Sequence, residues 1–235
     1  MQIIWKGQSF FQILVSKNKE NVVKIAIDPY DEQIGLKPPV CEADILLITH
    51  SHYDHNNVKT VKAPTSGYPP FLISGPGEYE IKGIFIQGIS SFHDNAQGKE
   101  RGENTIYTLE SEGIKICHLG DLGQKELTDE QLEKIGAVDI LMIPVGGVYT
   151  ISAKEAAKVI SQIEPKIVIP MHYQIPYSGR RPDGSYRPKL KVKLEGLDKF
   201  LKMMGVKAPE VSKKLSISQK NLPSEGMKVI VLKPS

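Results

Sequence analysis

The sequence predicts an α/β fold, with strands crowded into the first half and helices interleaved with strands in the second. Three features carry that expectation. Residues 44–49 (Asp-Ile-Leu-Leu-Ile-Thr) form a continuous apolar run, the pattern of a strand covered on both faces. Thr128-Asp129-Glu130-Gln131 and Ser152-Ala153-Lys154-Glu155 each set a hydroxyl residue three positions before Gln or Glu, the mark of a helix start closed by reciprocal side-chain hydrogen bonds. The apolar runs 139–145 and 167–169 bracket the second of these helices with short connections. Strand, helix and strand in that order make a βαβ unit, so part of the sheet is parallel.

The elements follow in order. Residues 1–7 read as a short strand. Runs 10–15 and 22–27 are apolar and β-branched, parted by polar turn residues, and Asp28-Pro29-Tyr30 ends the second. Beyond 44–49, strands are predicted at 71–74, 84–89, 105–110 and 113–119. The helix opened by Thr128 ends at Gly136, where a C-terminal cap falls. The one opened by Ser152 carries Ala156, Val159, Ile160 and Ile163 on one side and stops at Pro165. Residues 177–193 turn to Gly, Pro, Arg and Lys without a period and read as a long surface loop. A short helix at 197–204 and a strand at 227–232 close the chain.

At 235 residues, 40% apolar and 24% charged, the chain has ordinary globular composition and can bury a full core. It reads as one domain over 1–235, with a loop insertion at 177–193 and a basic C-terminal segment at 194–235. No apolar stretch approaches the roughly 18 residues of a spanning helix, so no membrane role is expected. The N-terminus shows no secretion signal, and two cysteines, Cys41 and Cys117, are too few for a disulfide framework. A cytoplasmic protein is the expectation. The net charge of +3 hides an asymmetry: residues 1–178 carry 16 Lys+Arg against 22 Asp+Glu, and residues 179–235 carry 14 against 5. The basic residues stand singly among Leu, Val, Met and Pro, which reads as a solvated face ahead of a nucleic-acid contact.

Chemistry concentrates in Thr49-His50-Ser51-His52-Tyr53-Asp54-His55, directly after the 44–49 strand. Three imidazoles and a carboxylate in six residues are costly beside a core unless they have partners. In extended chain, residues two apart point to one side, so His50 and His52 can bind one ion together. A turn at Asp54-His55 can send those side chains to a second ion. Neutral imidazole and carboxylate are ordinary Zn²⁺ ligands, and Mn²⁺ and Fe²⁺ are also compatible. His93 and His172 fall at the ends of predicted strands, where α/β folds carry chemistry. Read singly, His93 and His172 are equally ordinary histidines, and Asp121 a turn residue in Gly-Asp-Leu-Gly. His118 alternates with Ile114 and Ile116 and reads as a core histidine, or one donating to a carboxylate near the ligands. Cys117 faces the other way, into packing. Asp94 is either a residue orienting a ligand or a loop acid.

The His-x-His-x-Asp-His string resembles the signature of the metallo-β-lactamase-fold hydrolases, and His93, Asp121 and His172 follow in that family's order over residues 1–175. Pro76-Gly77-Glu78-Tyr79, Arg101-Gly102-Glu103-Asn104-Thr105 and Pro144-Val145-Gly146-Gly147 are similar to its lactonase-like branch of predicted zinc-dependent hydrolases, which includes ascorbate-6-phosphate lactonase. The resemblance implies a four-layer αβ/βα sandwich of two mixed sheets with helices outside. It implies one ion on His50, His52 and His93, a second on Asp54, His55 and His172, Asp121 bridging both, and a hydroxide shared between the ions. That hydroxide, oriented by Asp54 as the catalytic residue, would cleave an ester-like bond.

For the substrate, Tyr149, Tyr173 and Arg101 are the candidate contacts, with Lys99 beside Arg101 in the same loop. Should the basic pair face the site, a small anionic substrate such as a sugar-phosphate lactone follows. Two rival readings keep the metals: a phosphodiesterase or nuclease, and a non-catalytic metal-binding scaffold. Structural zinc is usually saturated by four protein ligands, which argues against the scaffold. The sequence does not set the oligomeric state.

Overall fold

A computed structural model of the protein describes residues 1–16, 21–64, 68–175 and 190–235. The chain opens on β1 (Gln2–Gly7), β2 (Phe10–Ser16) and β3 (Val22–Ile27). Short strands follow: β4 (Cys41–Glu42), β5 (Ile45–Leu47), β6 (Val61–Lys62) and β7 (Phe71–Ile73). An antiparallel run then comprises β8 (Gly77–Ile81), β9 (Ile84–Phe92), β10 (Glu103–Ser111) and β11 (Ile114–His118). Helices α1 (Asp129–Ile135) and α2 (Ala153–Ile163) alternate with β12 (Ile140–Pro144) and β13 (Ile167–Met171). The C-terminal part supplies α3 (Leu197–Met203), β14 (Glu210–Ser212), β15 (Leu215–Ser216) and β16 (Lys228–Leu232). No helix of the described residues is long and apolar enough to cross a membrane.

The strands form two mixed sheets. One has the order β15-β1-β2-β3-β5-β7, the other β14-β16-β13-β12-β11-β10-β9-β8. In each, an antiparallel part joins a parallel part: at β3–β5 in the smaller sheet and at β11–β12 in the larger. Side-chain alternation explains how the smaller sheet is covered. Phe11, Ile13, Ile25, Ile27, Ile45 and Leu47 join the core shared with Ile84, Ile86, Ile106 and Ile116 of the larger sheet. The intervening Phe10, Ala26 and Leu46 point the other way, into a second cluster with Ile34, Leu36, Val61, Leu190 and Leu194. The layer over this outer face, among the described residues, includes the 3₁₀ turn at Glu32–Ile34, the β4–β6 pair and the 190–194 segment. The α-helices belong to the larger sheet, against which α2 packs Ala156, Val159, Ile160 and Ile163.

Both capping boxes form, Thr128 with Gln131 and Ser152 with Glu155. Several elements depart from the expected bounds, and three of the departures have a plain physical reason. The ladder predicted at 44–49 stops at Leu47, because Thr49 turns its N–H and hydroxyl to the Asp28 carboxylate at 2.8 and 2.7 Å. The strand predicted at 84–89 runs on to Phe92, drawn out by pairing with Glu103. β8 was not predicted, although Tyr79 and Ile81 alternate with Glu78 and Glu80 as a half-covered edge strand should.

Residues 176–189, most of the expected loop insertion, lie outside the described residues. The C-terminal segment is built into the fold: β15 pairs with β1, and β14 and β16 extend the larger sheet. Its lysines, including Lys199, Lys202, Lys213, Lys214 and Lys220, are exposed, the solvated face expected.

Ile140 is fully buried at the centre of the parallel strands, so Ile140→Ala should lower the unfolding free energy by about 2–5 kcal/mol. Thr128→Ala, which removes one cap, should cost only about 1 kcal/mol. Urea denaturation of the two variants checks the ranking.

Candidate metal centre

The motif lies just past β5, while His93 follows β9, Asp121 lies shortly after β11 and His172 follows β13. β9, β11 and β13 run in one direction, since β10 is antiparallel to both β9 and β11, and β11, β12 and β13 are parallel. Their C-terminal ends therefore share one edge of the sheet, the usual place for chemistry in such folds. A turn in the motif, with the N–H groups of His55 and Asn56 donating to the His52 carbonyl at 2.9 and 3.1 Å, separates the first two histidines from Asp54 and His55.

The backbone is shaped to allow this approach. A Cβ at Gly120 would stand 2.3 Å from Asn104 Oδ1 and 2.9 Å from Thr49 Cβ, so only glycine fits before Asp121. His172 itself adopts φ 49°, a region that non-glycine residues occupy at a cost. Its N–H donates to the Gln8 carbonyl at 3.2 Å.

The side chains gather in two groups. Donor atoms of His50, His52 and His93 lie within 4.8 Å of one another, as do those of Asp54, His55, Asp121 and His172. Asp121 stands where the groups meet: its Oδ2 is 3.2 Å from His55 Nε2, 3.3 Å from His172 Nε2 and 3.3 Å from His93 Nε2. Two donors each about 2.1 Å from one tetrahedral cation are roughly 3.4 Å apart, so these separations are those of neighbouring ligands around a cation.

Hydrogen bonding tests whether the residues fit such ions. Thr49 Oγ1 is 2.7 Å from the Asp28 carboxylate and 2.9 Å from His50 Nδ1. The hydroxyl proton goes to the carboxylate, so His50 carries its proton on Nδ1 and leaves a lone pair on Nε2. His55 Nδ1 lies 3.0 Å from Asp28 Oδ2, which likewise turns the lone pair to Nε2. Both Nε2 atoms are buried without a hydrogen-bond partner among the described residues. Desolvated lone pairs so arranged are costly unless a cation takes them. The donor set fits divalent metal.

Comparison with known proteins gives the lineage. A family model, the beta-lactamase superfamily domain, matches residues 2–172. The chain belongs to the β-lactamase superfamily. A metal-dependent hydrolase of Thermococcus onnurineus is 30% identical over 195 residues, 74% of this chain and 84% of its own length. One of Thermoplasma volcanium is 31% identical over 197 residues, 74% and 83% of the two chains. Among solved structures, a Thermotoga maritima protein assigned as a Zn-dependent hydrolase of the metallo-β-lactamase superfamily is 34% identical, with a TM-score of 0.73 over 98% of this chain and 97% of that one. Igni18, a metallo hydrolase of Ignicoccus hospitalis, shares the fold at 20% identity, with a TM-score of 0.58 over 99% and 95% of the two chains.

In this superfamily member a buried layer holds the candidate ligands. Asp28, fully buried, joins His55 to Thr49. Ser9 Oγ donates to Asp121 Oδ1 at 3.4 Å, and the Asp121 N–H donates to Asn104 Oδ1 at 3.0 Å. His118 is not among the donor groups. Of its two expected places the core one holds: the ring is fully buried, its Nε2 donates to the Ser9 carbonyl at 3.1 Å and its Nδ1 accepts from the Gly120 N–H at 3.1 Å. Cys117 is buried in the core, where desolvation pushes its thiol up to about 12. Sequence reading missed Asp28, taken only as the end of a strand, and Ser9; neither carries a local signal, because each acts across the chain.

Burial drives His50, His52, His118 and His172 below the ordinary imidazole range. At His55 burial works the same way, but the carboxylates of Asp121, Asp54 and Asp28 outweigh it and raise the ring well above that range. At Asp121 burial favours the neutral acid, yet the neighbouring His172 and His55 rings hold it well below the usual carboxylate range.

A cavity of about 240 Å³ opens beside the groups, lined by His52, Tyr53, Asp54, His93, Arg101, Asp121, Tyr149 and Val192. Arg101 and Tyr149 are thus brought to the site, together with Tyr53 and Val192, which the sequence did not single out. Lys99 is not among the lining residues. Tyr173 is a correction: only 4% exposed, it packs on Trp5 with ring centroids 5.2 Å apart, because the chain turns at His172 and sends the next side chain into the core. A larger depression of about 410 Å³ lies over β8–β11 and holds none of the donor residues.

Two outcomes follow. Asp28→Asn weakens the partner of His55 and should lower metal affinity about 10–100-fold, as measured by competition with a chromogenic chelator. In metal-free protein, the four lowered imidazoles contribute stability that is present above their unfolded value, about 6.5, and lost as pH falls below it. His55, being raised, contributes the reverse: stability present below about 6.5 and lost as pH rises through its folded value. With four groups against one, Tm of the metal-free protein should fall between about pH 7.5 and 5.5, a trend that thermal melts across that range measure.

Proposed function

We propose that this metal-dependent hydrolase cleaves an ester-like bond in a small substrate, a lactone in the first instance, on a centre of two cations. The observation that carries the reading is the shared position of Asp121 Oδ2, within 3.3 Å of imidazoles from both donor groups, at the floor of a cavity that opens outward. Bound there, divalent cations, Zn²⁺ first and Mn²⁺ or Fe²⁺ also compatible with the donors, supply Lewis acidity and a water with its pKa lowered to about 7.

The chain's own residues support hydrolysis by water. Among the described residues no Ser, Cys, Thr or Lys lines the cavity, so none of them competes for the nucleophile's role. Asp54 reaches the cavity with its carboxylate 16% exposed, Oδ2 lying 3.7 Å from His55 Nε2 and 4.0 Å from His172 Nε2. From there it orients an attacking water and accepts its proton. At about 240 Å³ the cavity falls below the roughly 300–1,000 Å³ of ordinary ligand pockets, which favours a compact substrate. The basic C-terminal lysines contribute nothing to its lining, so the phosphodiester reading draws no support from them.

A panel of lactones, esters and phosphodiesters, RNA among them, tests the reading against a His50→Ala control. Lactones should lead, and the variant should lose at least about 100-fold, the upper end of what supporting residues around metals cost. Equal turnover by both proteins on every class would discard hydrolysis at this centre. Cleavage of RNA alone, weakening with salt, would replace the lactone with a phosphodiester.

A further inference from the structure

We propose that Arg101 sets the specificity of the cavity by receiving an oxyanion, a carboxylate or phosphate that the substrate carries apart from its scissile bond. The inference rests on the hydrolase reading and adds a feature of the substrate to it.

Its first support is where the guanidinium stands. The central carbon of Arg101 lies 4.7 Å from the centroid of the Tyr149 ring, and both residues line the cavity with Asp54 and Asp121. Glu100 and Glu103 are close in sequence, yet among the described residues no carboxylate forms an ion pair with Arg101. A guanidinium with its fork of N–H donors uncommitted is suited to a planar or tetrahedral oxyanion, which it can hold through two parallel hydrogen bonds.

The second support is the loop that presents it. Asp94, buried directly after His93, accepts backbone N–H bonds from Ala96 and Gly98 on one oxygen at 2.7 and 2.9 Å. Glu100 and Arg101 donate to the other oxygen at 3.0 and 2.8 Å. Burial pushes this carboxyl up, and the four N–H groups outweigh burial and hold it below its usual range. The loop is closed by the His93 N–H donating to the Gly102 carbonyl at 3.0 Å. Asp94 is therefore the expected loop acid and a positioning residue: it winds the loop so that a candidate metal ligand and Arg101 belong to one rigid unit. The Arg101 side chain takes no part in that winding. Its exposed contact with one ring is weak, so the group is free to engage a ligand.

Such an anchor acts at a distance from the reacting atoms. The electrophilic carbon belongs beside Asp121 and Asp54, and an oxyanion held at the rim by Arg101 fixes how the molecule enters. A compact molecule carrying both an ester-like bond and an acid group, such as a lactone of a sugar acid or of a sugar phosphate, has that chemistry.

The test compares the wild-type protein with Arg101→Ala and Arg101→Lys. Isothermal titration with acetate and with methyl phosphate measures binding without turnover. A γ-lactone, the same lactone bearing a carboxylate, and a phosphorylated one measure kcat/KM. Arg101→Ala should weaken binding of the preferred anion about 10–100-fold and lower kcat/KM for the matching lactone by that factor relative to the neutral one. Arg101→Lys should restore part of both, and the anion with the larger loss identifies the group recognised. Equal anion affinity in all three proteins, or an equal loss on charged and neutral lactones, overturns the proposal. If no lactone is turned over by wild type, the lactone reading is what fails, and the titrations still decide the role of Arg101.

Discussion

Asp121 places one carboxylate oxygen within 3.3 Å of three imidazole nitrogens, in a region almost closed to solvent. Around it, His50 and His55 present lone pairs that no donor among the described residues satisfies. In low dielectric such a cluster is held together only if positive charge is supplied between its members. The metal-free fold answers in part by raising the proton affinity of His55. A metal ion held there would supply that charge, which is why the arrangement fits a candidate metal centre better than a packed core.

The surrounding structure can be understood as support for that demand. Asp28 stands in a left-handed conformation at φ 52° and ties the end of β3 to the motif after β5. Tyr107, from the larger sheet, donates its hydroxyl to the Ile48 carbonyl at 2.9 Å, just before the motif begins. The two sheets are thus joined by polar contacts at the edge where the ligands converge, while apolar packing joins them elsewhere. Strain at His172 and the close approach at Gly120 are tolerated because the strands behind them leave little alternative. On the open side, Asp94 organises the loop that carries Arg101, so the rim is built from the same β9 connection as His93.

Much of this was legible in the amino-acid order, where the deciding interactions are local. The capping boxes at Thr128 and Ser152 need only four consecutive residues, and both form. The alternation of His118 with Ile114 and Ile116 rightly put that ring inside. Reasoning by adjacency failed at Tyr173, since a turn at His172 reverses the direction of the next side chain. It also failed at Asp28, whose partners Thr49 and His55 are 21 and 27 residues away.

By itself the sequence determined the ligand chemistry of residues 50–55, the apolar strands behind them and the ends of the two main helices, because each depends on neighbours within a few positions. Tertiary structure alone decided which donor meets which. His50 and His52 join His93, Asp121 stands between the groups, and Arg101 comes to rest on Tyr149 only once the strands have paired in register. The reason is geometric. A coordination site is a set of distances of a few ångströms between atoms far apart along the chain, and only the folded sheets fix such distances.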